Sequence, residues 1–292
     1  MTRSDREPTS LTTATRSTGF LPVVVPILVL FLTLTLPTMI GRVSAASPPL
    51  PIPLPTAHSH NDYEHTRPLL DALDQGFCSV EADIYLVDGE LLVAHDRPKV
   101  RPERTLQALY LDPLQARVKA HGGRVHPGGP SVTLLIDFKG DADTTYARLR
   151  EVLAAYRPML TVFSNDRTVT NAVTIVISGN RPWKTLASEP ERLAGLDGRL
   201  PDLDTNPSPH LVPLVSDNWR SHFQWNGEGP LPESEKAKLH ELVRRAHSQG
   251  RRIRFWAAAD RPEVWRAQAE ARVDLINTDR LEALAAHLLT RP

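Results

Sequence analysis

The strongest constraint on the fold is an alternation of short apolar segments with helical patterns through most of the chain. Helical patterns cover Pro68–Gln75, Thr144–Tyr156, Glu233–Ser248, Pro262–Ala269 and Leu281–Leu289. An eighth strand is expected near Leu193–Leu200, where glycines weaken the pattern. Seven clearer segments are apolar and followed by polar or turn residues, as is typical of β-strands: Thr56–His60, Ser79–Leu86, Val132–Phe138, Val173–Ser178, Leu211–Ser216, Arg252–Ala258 and Asp274–Asn277.

This alternation predicts one parallel α/β domain over residues 56–292, because no break in composition divides it. A single (β/α)8 TIM barrel fits that length, and a doubly wound sheet is the alternative. No Gly-x-Gly-x-x-Gly turn follows the first strand, which removes the best reason to prefer a dinucleotide-binding fold. In a barrel, we expect the functional residues at the carboxyl ends of the strands.

The N-terminal residues 1–46 have the order of a secretory signal: a polar stretch with Arg3, Arg6 and Arg16, then an apolar run over residues 20–40, then small residues before a cleavage point after Ala45. The alternative is a retained membrane anchor, because the run approaches the length that spans a bilayer. A proline-rich linker, residues 47–55, follows. We therefore expect a secreted or extracytoplasmic domain, or a membrane-anchored one where the segment is not cleaved.

Composition excludes several classes of protein. Basic and acidic residues number 34 each, and the formal net charge of +0 argues against a nucleic-acid partner, which needs a basic surface. The single cysteine, Cys78, excludes an intramolecular disulfide and a cysteine-based zinc site.

Carboxylates gather on the second and third strands. Glu81 and Asp83 are two residues apart, so both side chains point to one face of their strand. Such a pair is costly unless a cation or hydrogen bonds compensate it, and hard oxygen ligands suit Mg²⁺ or Ca²⁺. The alternative is a solvated pair on an edge strand. The third strand adds Asp137 and Lys139, again on one face.

A hairpin signal follows the second strand. In Val87-Asp88-Gly89, the glycine is able to follow a type I turn with a positive φ. The three-residue loop that results would set His95 opposite Glu81, on the face that carries the carboxylates. A two-residue loop would instead turn His95 away.

These side chains suit phosphodiester chemistry. A divalent ion held by Glu81, Asp83 and Asp137 would neutralise phosphate charge, and Lys139 would add a second positive contact. Two histidines that titrate near neutrality serve as general base and general acid on opposite sides of phosphorus. Three carboxylates around one divalent ion also favour a protonated histidine.

The ordered motifs resemble the phospholipase C-like phosphodiesterases, a TIM-barrel superfamily that includes glycerophosphodiester phosphodiesterases and phosphatidylinositol-specific phospholipases C. The motifs are His60-Asn61-Asp62-Tyr63, Glu81-Ala82-Asp83, Asp88-Gly89 and His95-Asp96. The chain as a whole resembles the altered inheritance of mitochondria protein 6 family, through Arg104-Thr105-Leu106, residues 178–182, Ser216-Asp217-Asn218, Arg254-Phe255-Trp256 and Asn277-Thr278-Asp279.

The resemblance implies a metal-dependent phosphoric diester hydrolase that acts on a phospholipid or its head-group diester, with a cyclic phosphate as first product. It implies Glu81 and Asp83 as metal ligands, Asp137 in place of a glutamate, and His95 as the second catalytic histidine. One divalent cation, Mg²⁺ or Ca²⁺, is the implied cofactor. The His-Arg-Gly start of glycerophosphodiesterases is absent, which argues against glycerophosphodiester specificity.

The first catalytic histidine is either His58 or His60. We favour His60, because His60-Asn61 resembles the His-Asn pair of phospholipases C, and we expect His58 to support His60 by hydrogen bonding. Asn61, Lys139 and Trp256 are candidate substrate-binding residues, although Trp256 would equally cap the core.

Two other functions fit part of the pattern. His58-Ser59-His60 is what a metal-dependent amidohydrolase shows after its first strand, but such an enzyme needs more histidines at later strand ends. A non-catalytic barrel that binds phosphorylated head groups is the other alternative, and the pair His60 and His95 argues against it. We expect a monomer that contacts a membrane surface where its substrate is a lipid.

Overall fold

The computed structural model describes Gly19 and residues 50–290. Eight parallel strands form a closed ring, since β1 (Leu54–Ser59) pairs with β2 (Phe77–Val87) on one side and with β12 (Leu275–Thr278) on the other. The TIM barrel is thus confirmed and the doubly wound sheet is wrong. The eight strands are β1 (Leu54–Ser59), β2 (Phe77–Val87), β4 (Val132–Phe138), β7 (Val173–Gly179), β9 (Ala194–Gly198), β10 (Leu214–Asn218), β11 (Arg252–Trp256) and β12 (Leu275–Thr278).

The remaining strands lie outside the parallel ring. β3 (Glu90–Val93) pairs antiparallel with β2. A small antiparallel sheet comprises β5 (Val162–Ser164), β6 (Thr168–Val169) and β8 (Glu191–Arg192). These three strands are two or three residues long, so they carry too little periodicity to be recognised in the sequence.

Helices connect the barrel strands: α1 (Leu70–Asp74), α2 (Asp112–Ala120), α3 (Ala142–Tyr156), α4 (Trp183–Ser188), α5 (Asp202–Thr205), α6 (Trp219–His222), α7 (Glu233–Ser248), α8 (Pro262–Glu270) and α9 (Leu281–Leu289). The sequence predicted α7 and α9 with these bounds. It missed α2, because Leu114 is the buried residue of that helix and its apolar face is narrow. α3 is capped by Asp141, the residue before the helix, whose carboxylate accepts a hydrogen bond from the Thr144 amide at 2.9 Å.

The hairpin between β2 and β3 has a two-residue loop, so the expected three-residue loop is wrong. Ile84 pairs with Val93, and the loop residues Asp88 and Gly89 both have positive φ, of 50° and 82°. That conformation matches a type I′ turn, which fits the right-handed twist of the strands. His95 lies beyond the end of β3, so strand alternation does not decide where its side chain points.

The barrel interior is divided into an apolar and a polar part. Leu135, Val176, Leu214 and Leu275 form a fully buried apolar cluster inside the barrel. Towards the carboxyl ends of the strands the buried residues are polar, and these include His58, Glu81, Asp83, Ser178, Asp197, Ser216, Arg254 and Asn277. The barrel thus offers a polar cavity at the end where TIM barrels carry their sites.

The expected targeting segment, residues 1–46, lies outside the described residues except for Gly19. Leu54 and Pro55, predicted to end the linker, already belong to β1. Within the part of the chain that the structure describes, no helix is both long and apolar enough to cross a membrane.

Candidate active site

A pocket of about 260 Å³ opens at the carboxyl ends of the barrel strands. All eight residues singled out in the sequence line it, together with three that were not proposed as site residues. The lining residues are His60, Asn61, Glu81, Asp83, His95, Asp137, Lys139, Ser178, Arg199, Arg254 and Trp256. A larger pocket of about 640 Å³ lies beside α1 and α9, but its Arg67 is already paired with Asp71 and Asp74.

The three predicted metal ligands lie together. Glu81, Asp83 and Asp137 each offer one carboxylate oxygen, and these oxygens are all within 4.8 Å of one another. Asp83 and Asp137 are register partners on β2 and β4, so the parallel pairing itself brings their side chains side by side. The Lys139 ammonium lies 3.0 Å from Oδ2 of Asp83 and 3.0 Å from Oδ1 of Asp137.

The carboxylates of this cluster are short of positive charge. Burial, followed by the charges of Glu81 and Asp137, raises the pKa of Asp83 to about 6. Burial and the charge of Glu81 also raise the pKa of Asp137, against the opposing effect of Lys139. A cation placed among these groups would relieve the repulsion that produces both shifts.

Glu81 differs from its neighbours because it faces a guanidinium. Burial alone would raise the pKa of Glu81, but the charge of Arg254 together with the interactions of His58 and His60 outweighs it and holds that pKa below its ordinary value. The two groups are 3.8 Å apart, and both side chains are almost fully buried. Oε2 of Glu81 is buried without a hydrogen-bond partner among the described residues. This oxygen is therefore ionised and available to a ligand.

These observations fit a divalent cation. Three atoms no more than 4.8 Å apart all lie within about 2.8 Å of a common point, slightly beyond the about 2.3–2.6 Å of calcium–oxygen bonds. Magnesium, at about 2.0–2.1 Å, would need the carboxylates to approach further. A bound cation would contact the unpartnered Oε2 of Glu81 and would offset the repulsion that raises the pKa of Asp83. Both observations are therefore expected of a cation site.

His60 is held by a carboxylate from the far end of the chain. Its Nδ1 lies 2.8 Å from Oδ1 of Asp279, which follows β12, the strand that closes the barrel against β1. Burial alone lowers the pKa of His60, but the hydrogen bond to Asp279 and the charge of Glu81 outweigh it, so the pKa is raised. Because Nδ1 faces the carboxylate, Nε2 is the nitrogen left for a substrate, 3.7 Å from Oε2 of Glu81.

His95 has the same kind of partner. Its Nδ1 lies 2.9 Å from Oδ1 of Asp96, and Oδ2 of Asp96 lies 3.0 Å from the Lys99 ammonium. The ring is half exposed and reaches the pocket although the loop has two residues. The chain that follows β3 carries His95 to the pocket. The prediction that His95 faces the carboxylates was therefore derived from the wrong hairpin register.

His58 does not support His60 by hydrogen bonding, and that expectation is wrong. It is fully buried, and its Nε2 accepts a hydrogen bond from Nη1 of Arg254 at 2.7 Å. Its Nδ1 then donates to Oγ of Ser79, also at 2.7 Å. Burial and the charge of Arg254 lower the pKa of His58 to about 4, so it stays neutral and orients Arg254.

The proposed substrate-binding residues lie around the rim. Asn61 has a left-handed backbone with φ of 48°, its Oδ1 accepts from the Tyr63 hydroxyl at 2.6 Å, and its Nδ2 lies 3.5 Å from Oδ1 of Asp279. The Tyr63 hydroxyl is also 2.6 Å from Oδ2 of Asp83, so it couples Asn61 to the carboxylate cluster. Trp256 is half-buried on the pocket wall.

Three lining residues were missed as site candidates. Arg254 donates to Ser216 and Asn277 as well as to His58, which fixes it inside the barrel. Arg199 reaches from the end of β9 to Oδ2 of Asp197 at 3.1 Å, and Ser178 donates to the same oxygen at 2.9 Å. Ser178 and Arg254 fall within strand-end motifs, which is a signal that the sequence contained. A serine or an arginine at such a position does not by itself indicate a site residue, so neither was proposed.

Comparisons with known proteins agree with the sequence motifs. Residues 50–194 match the family model described as the AIM6-like phosphodiesterase domain. Altered inheritance of mitochondria protein 6 from Eremothecium gossypii is 30% identical over 264 residues, which cover 78% of this chain and 68% of that protein. The protein of that name from Lachancea thermotolerans is 31% identical over 77% of this chain and 63% of its own length. A homolog from Arthroderma benhamiae is 27% identical over 77% of this chain and 81% of its own length.

Two solved structures of similar fold are glycerophosphodiester phosphodiesterases. The one from Agrobacterium tumefaciens is 17% identical, with a TM-score of 0.48 over 80% of this chain and 100% of that one. The one from Parabacteroides distasonis is 15% identical, with a TM-score of 0.49 over 81% of this chain and 97% of that one.

Proposed function

This chain belongs to the altered inheritance of mitochondria protein 6 family, and we propose that it is a metal-dependent phosphoric diester hydrolase. One observation carries the proposal: two histidines, each with Nδ1 against a carboxylate, line the same pocket as three clustered carboxylates and a lysine. A barrel that only binds an anion needs the positive charge but has no use for two oriented imidazoles.

The charged residues of the pocket would bind the metal ion and stabilise the charge of the phosphate. A divalent cation bound by Glu81, Asp83 and Asp137 supplies Lewis-acid stabilisation of the phosphate charge. Lys139 holds two of these carboxylates in place and presents its ammonium to a non-bridging oxygen. Arg254 keeps Glu81 ionised, because its guanidinium lowers the pKa of that buried carboxyl.

His60 and His95 would act as general acid and general base, one on each side of phosphorus. Asp279 and Asp96 would orient the two rings by accepting a hydrogen bond from the Nδ1–H of each, which leaves Nε2 of each ring to move a proton at the substrate. A neighbouring hydroxyl of the substrate would attack phosphorus while the opposite histidine protonates the leaving group. The first product is then a cyclic phosphate, and water enters in a second step.

We further propose that the substrate is a phospholipid or its head-group diester, reached at a membrane surface by a monomeric, exported or anchored domain. The half-buried Trp256 on the pocket wall supports a head group that stacks on its ring. An amidohydrolase is disfavoured because Nε2 of His58, the first histidine of its motif, already accepts a hydrogen bond from Arg254.

The test is turnover of 2-hydroxypropyl 4-nitrophenyl phosphate, a diester that carries a hydroxyl next to its phosphate, by the purified full chain with Mg²⁺ or Ca²⁺. We expect His60→Ala and His95→Ala each to lower kcat about 10²–10⁴-fold. His240→Ala, which removes an exposed histidine on α7, is the matched control and should leave kcat unchanged. Equal rates in the wild type and both site variants would overturn the assignment.

A second experiment tests the internal attack. With a diester that carries a neighbouring hydroxyl, phosphorus NMR should show a cyclic phosphate before the open monoester. Direct appearance of the monoester, with solvent oxygen incorporated from the first turnover, would exclude the cyclic route.

A further inference from the structure

A second pocket, of about 280 Å³, adjoins the catalytic pocket and shares His95 with it. Its lining includes three permanent cations, Lys99, Arg101 and Arg104, and one carboxylate, Glu64. The cations come from the connection that follows β3, which lies next to the mouth of the catalytic pocket. The second pocket is therefore positively charged, whereas the carboxylate cluster beside it is negatively charged.

The two arginines are not neutralised by carboxylates. Nη1 of Arg101 donates to the backbone carbonyls of Pro98 and Val100, at 3.2 and 3.0 Å. Nη2 of Arg104 donates to the Tyr63 carbonyl at 2.6 Å. Neither guanidinium makes an ion pair with any residue in the described range 50–290. Each is thus held in place by backbone oxygens while its charge stays available to an anion.

Two further groups point to an anion at this place. Lys99 is linked to the catalytic His95 through Asp96, so an anion bound at Lys99 lies close to the reacting end of the site. Nε2 of His65, which also lines this pocket, is buried and has no hydrogen-bond partner among the residues that the structure describes. A ligand oxygen in the pocket would supply one.

We propose that this second pocket binds an additional phosphate group on the head group whose diester occupies the catalytic pocket. The proposal rests on the proposed function and narrows its substrate to diesters with a further phosphomonoester. Arg101 and Arg104 suit a phosphate dianion, because guanidinium groups match its oxygens in pairs, and Lys99, which is paired with Asp96, lies beside them. The shared wall at His95 requires both phosphates to be on one small head group.

The test is isothermal titration calorimetry of the full chain with inositol 1-phosphate and with inositol 1,4-bisphosphate. We expect the bisphosphate to bind about tenfold more tightly, and this preference to shrink at high salt because the pocket is open to solvent. In Arg101→Gln the preference should largely disappear. Arg266→Gln removes the same charge from an exposed position on α8 and should retain it.

Equal affinity of the wild type for both compounds, or an unchanged preference in R101Q, would overturn the subsite. Turnover of glycerophosphoinositol 4-phosphate in solution and of phosphatidylinositol 4-phosphate in phosphatidylcholine vesicles then shows whether the second phosphate comes on a free or a lipid-borne head group. If the binding preference holds but neither diester is cleaved, the hydrolase proposal fails and the subsite stands. If these diesters are cleaved but the wild type does not bind inositol 1,4-bisphosphate more tightly than inositol 1-phosphate, only the subsite proposal fails.

Discussion

Gly179 is the position at which one added methyl group should damage the site although no charged residue is replaced. It ends β7 with a φ of 65°, and a Cβ built there would lie 2.5 Å from Oδ1 of Asp137 and 2.5 Å from the Phe138 carbonyl oxygen. The carbonyl belongs to the neighbouring strand β4 and has little room to move. Asp137 must therefore shift, and with it one of the three clustered carboxylates.

Two effects add to the expected loss of stability in Gly179→Ala, backbone strain and steric overlap, and a control variant separates them. A left-handed backbone costs a residue with a side chain about 1–2 kcal/mol. Overpacking against fixed neighbours adds about 1–3 kcal/mol. Gly89 has a φ of 82° but open space around its Cβ direction, so Gly89→Ala carries the first cost without the second.

We expect Gly179→Ala to lower the free energy of unfolding by about 2–5 kcal/mol and Gly89→Ala by about 1–2 kcal/mol. Urea denaturation of the metal-free full chain measures both values. In calorimetry with Ca²⁺, G179A should bind the ion more weakly and G89A should bind it as the wild type does. Equal losses of stability in the two variants, with unchanged Ca²⁺ affinity in G179A, would refute the reasoning.

Three further perturbations test the site. Glu81→Ala and Asp137→Ala should each weaken divalent-ion binding at least about tenfold in calorimetry, since each removes one of three oxygen ligands. Asp279→Asn should lower kcat about 10–100-fold and move the limb of the pH–rate profile that His60 governs to lower pH, because the hydrogen bond that raises the pKa of His60 is lost. Ion affinity should fall about tenfold per pH unit below pH 6, as Asp83, whose pKa is raised to about 6, takes up a proton.

The two sets of variants each have an outcome that contradicts the prediction. Glu263→Ala, an exposed carboxylate on α8, is the control for ion binding, and an equal loss there would remove the assignment of the ligands. A pH–rate profile of D279N that coincides with that of the wild type would show that Asp279 does not act on His60. The raised pKa of Asp83 also means that the contribution of Asp83 to the unfolding free energy of the metal-free chain, measured as the difference between the wild type and Asp83→Asn, declines as pH rises from about 4 to about 6, because folded Asp83 binds more protons there than unfolded Asp83 does. A rise over that range would contradict the shift.

The barrel could be predicted from the sequence because its strands are buried on both faces and its longer helices have one apolar face. β4 and α7 were predicted with the bounds that the structure has. β11 ends two residues earlier than predicted, at Trp256, because Ala257 takes a positive φ of 56° and leaves the strand. Short or mostly polar elements, such as α2, carry no period that separates them from loops.

The candidate site could be predicted as a set of residues, whereas its internal pairing could not. Strand alternation puts Glu81 and Asp83 on one face, and parallel register brings Asp137 to them. The partners of the two histidines at the first strand were missed, because Asp279 is 219 residues from His60 and Arg254 is 196 residues from His58. Such pairs depend on barrel closure, which no local pattern shows.

The most direct test of a metal-dependent diester hydrolase at this pocket uses the chelator-treated full chain and 2-hydroxypropyl 4-nitrophenyl phosphate, and measures the rate of nitrophenol release as Mg²⁺ or Ca²⁺ is added back. We expect no turnover with the chelator, recovery that saturates with the added ion, and no recovery in the double variant Glu81→Ala/Asp137→Ala. Full activity in the chelator, or equal recovery in the double variant, would contradict the account.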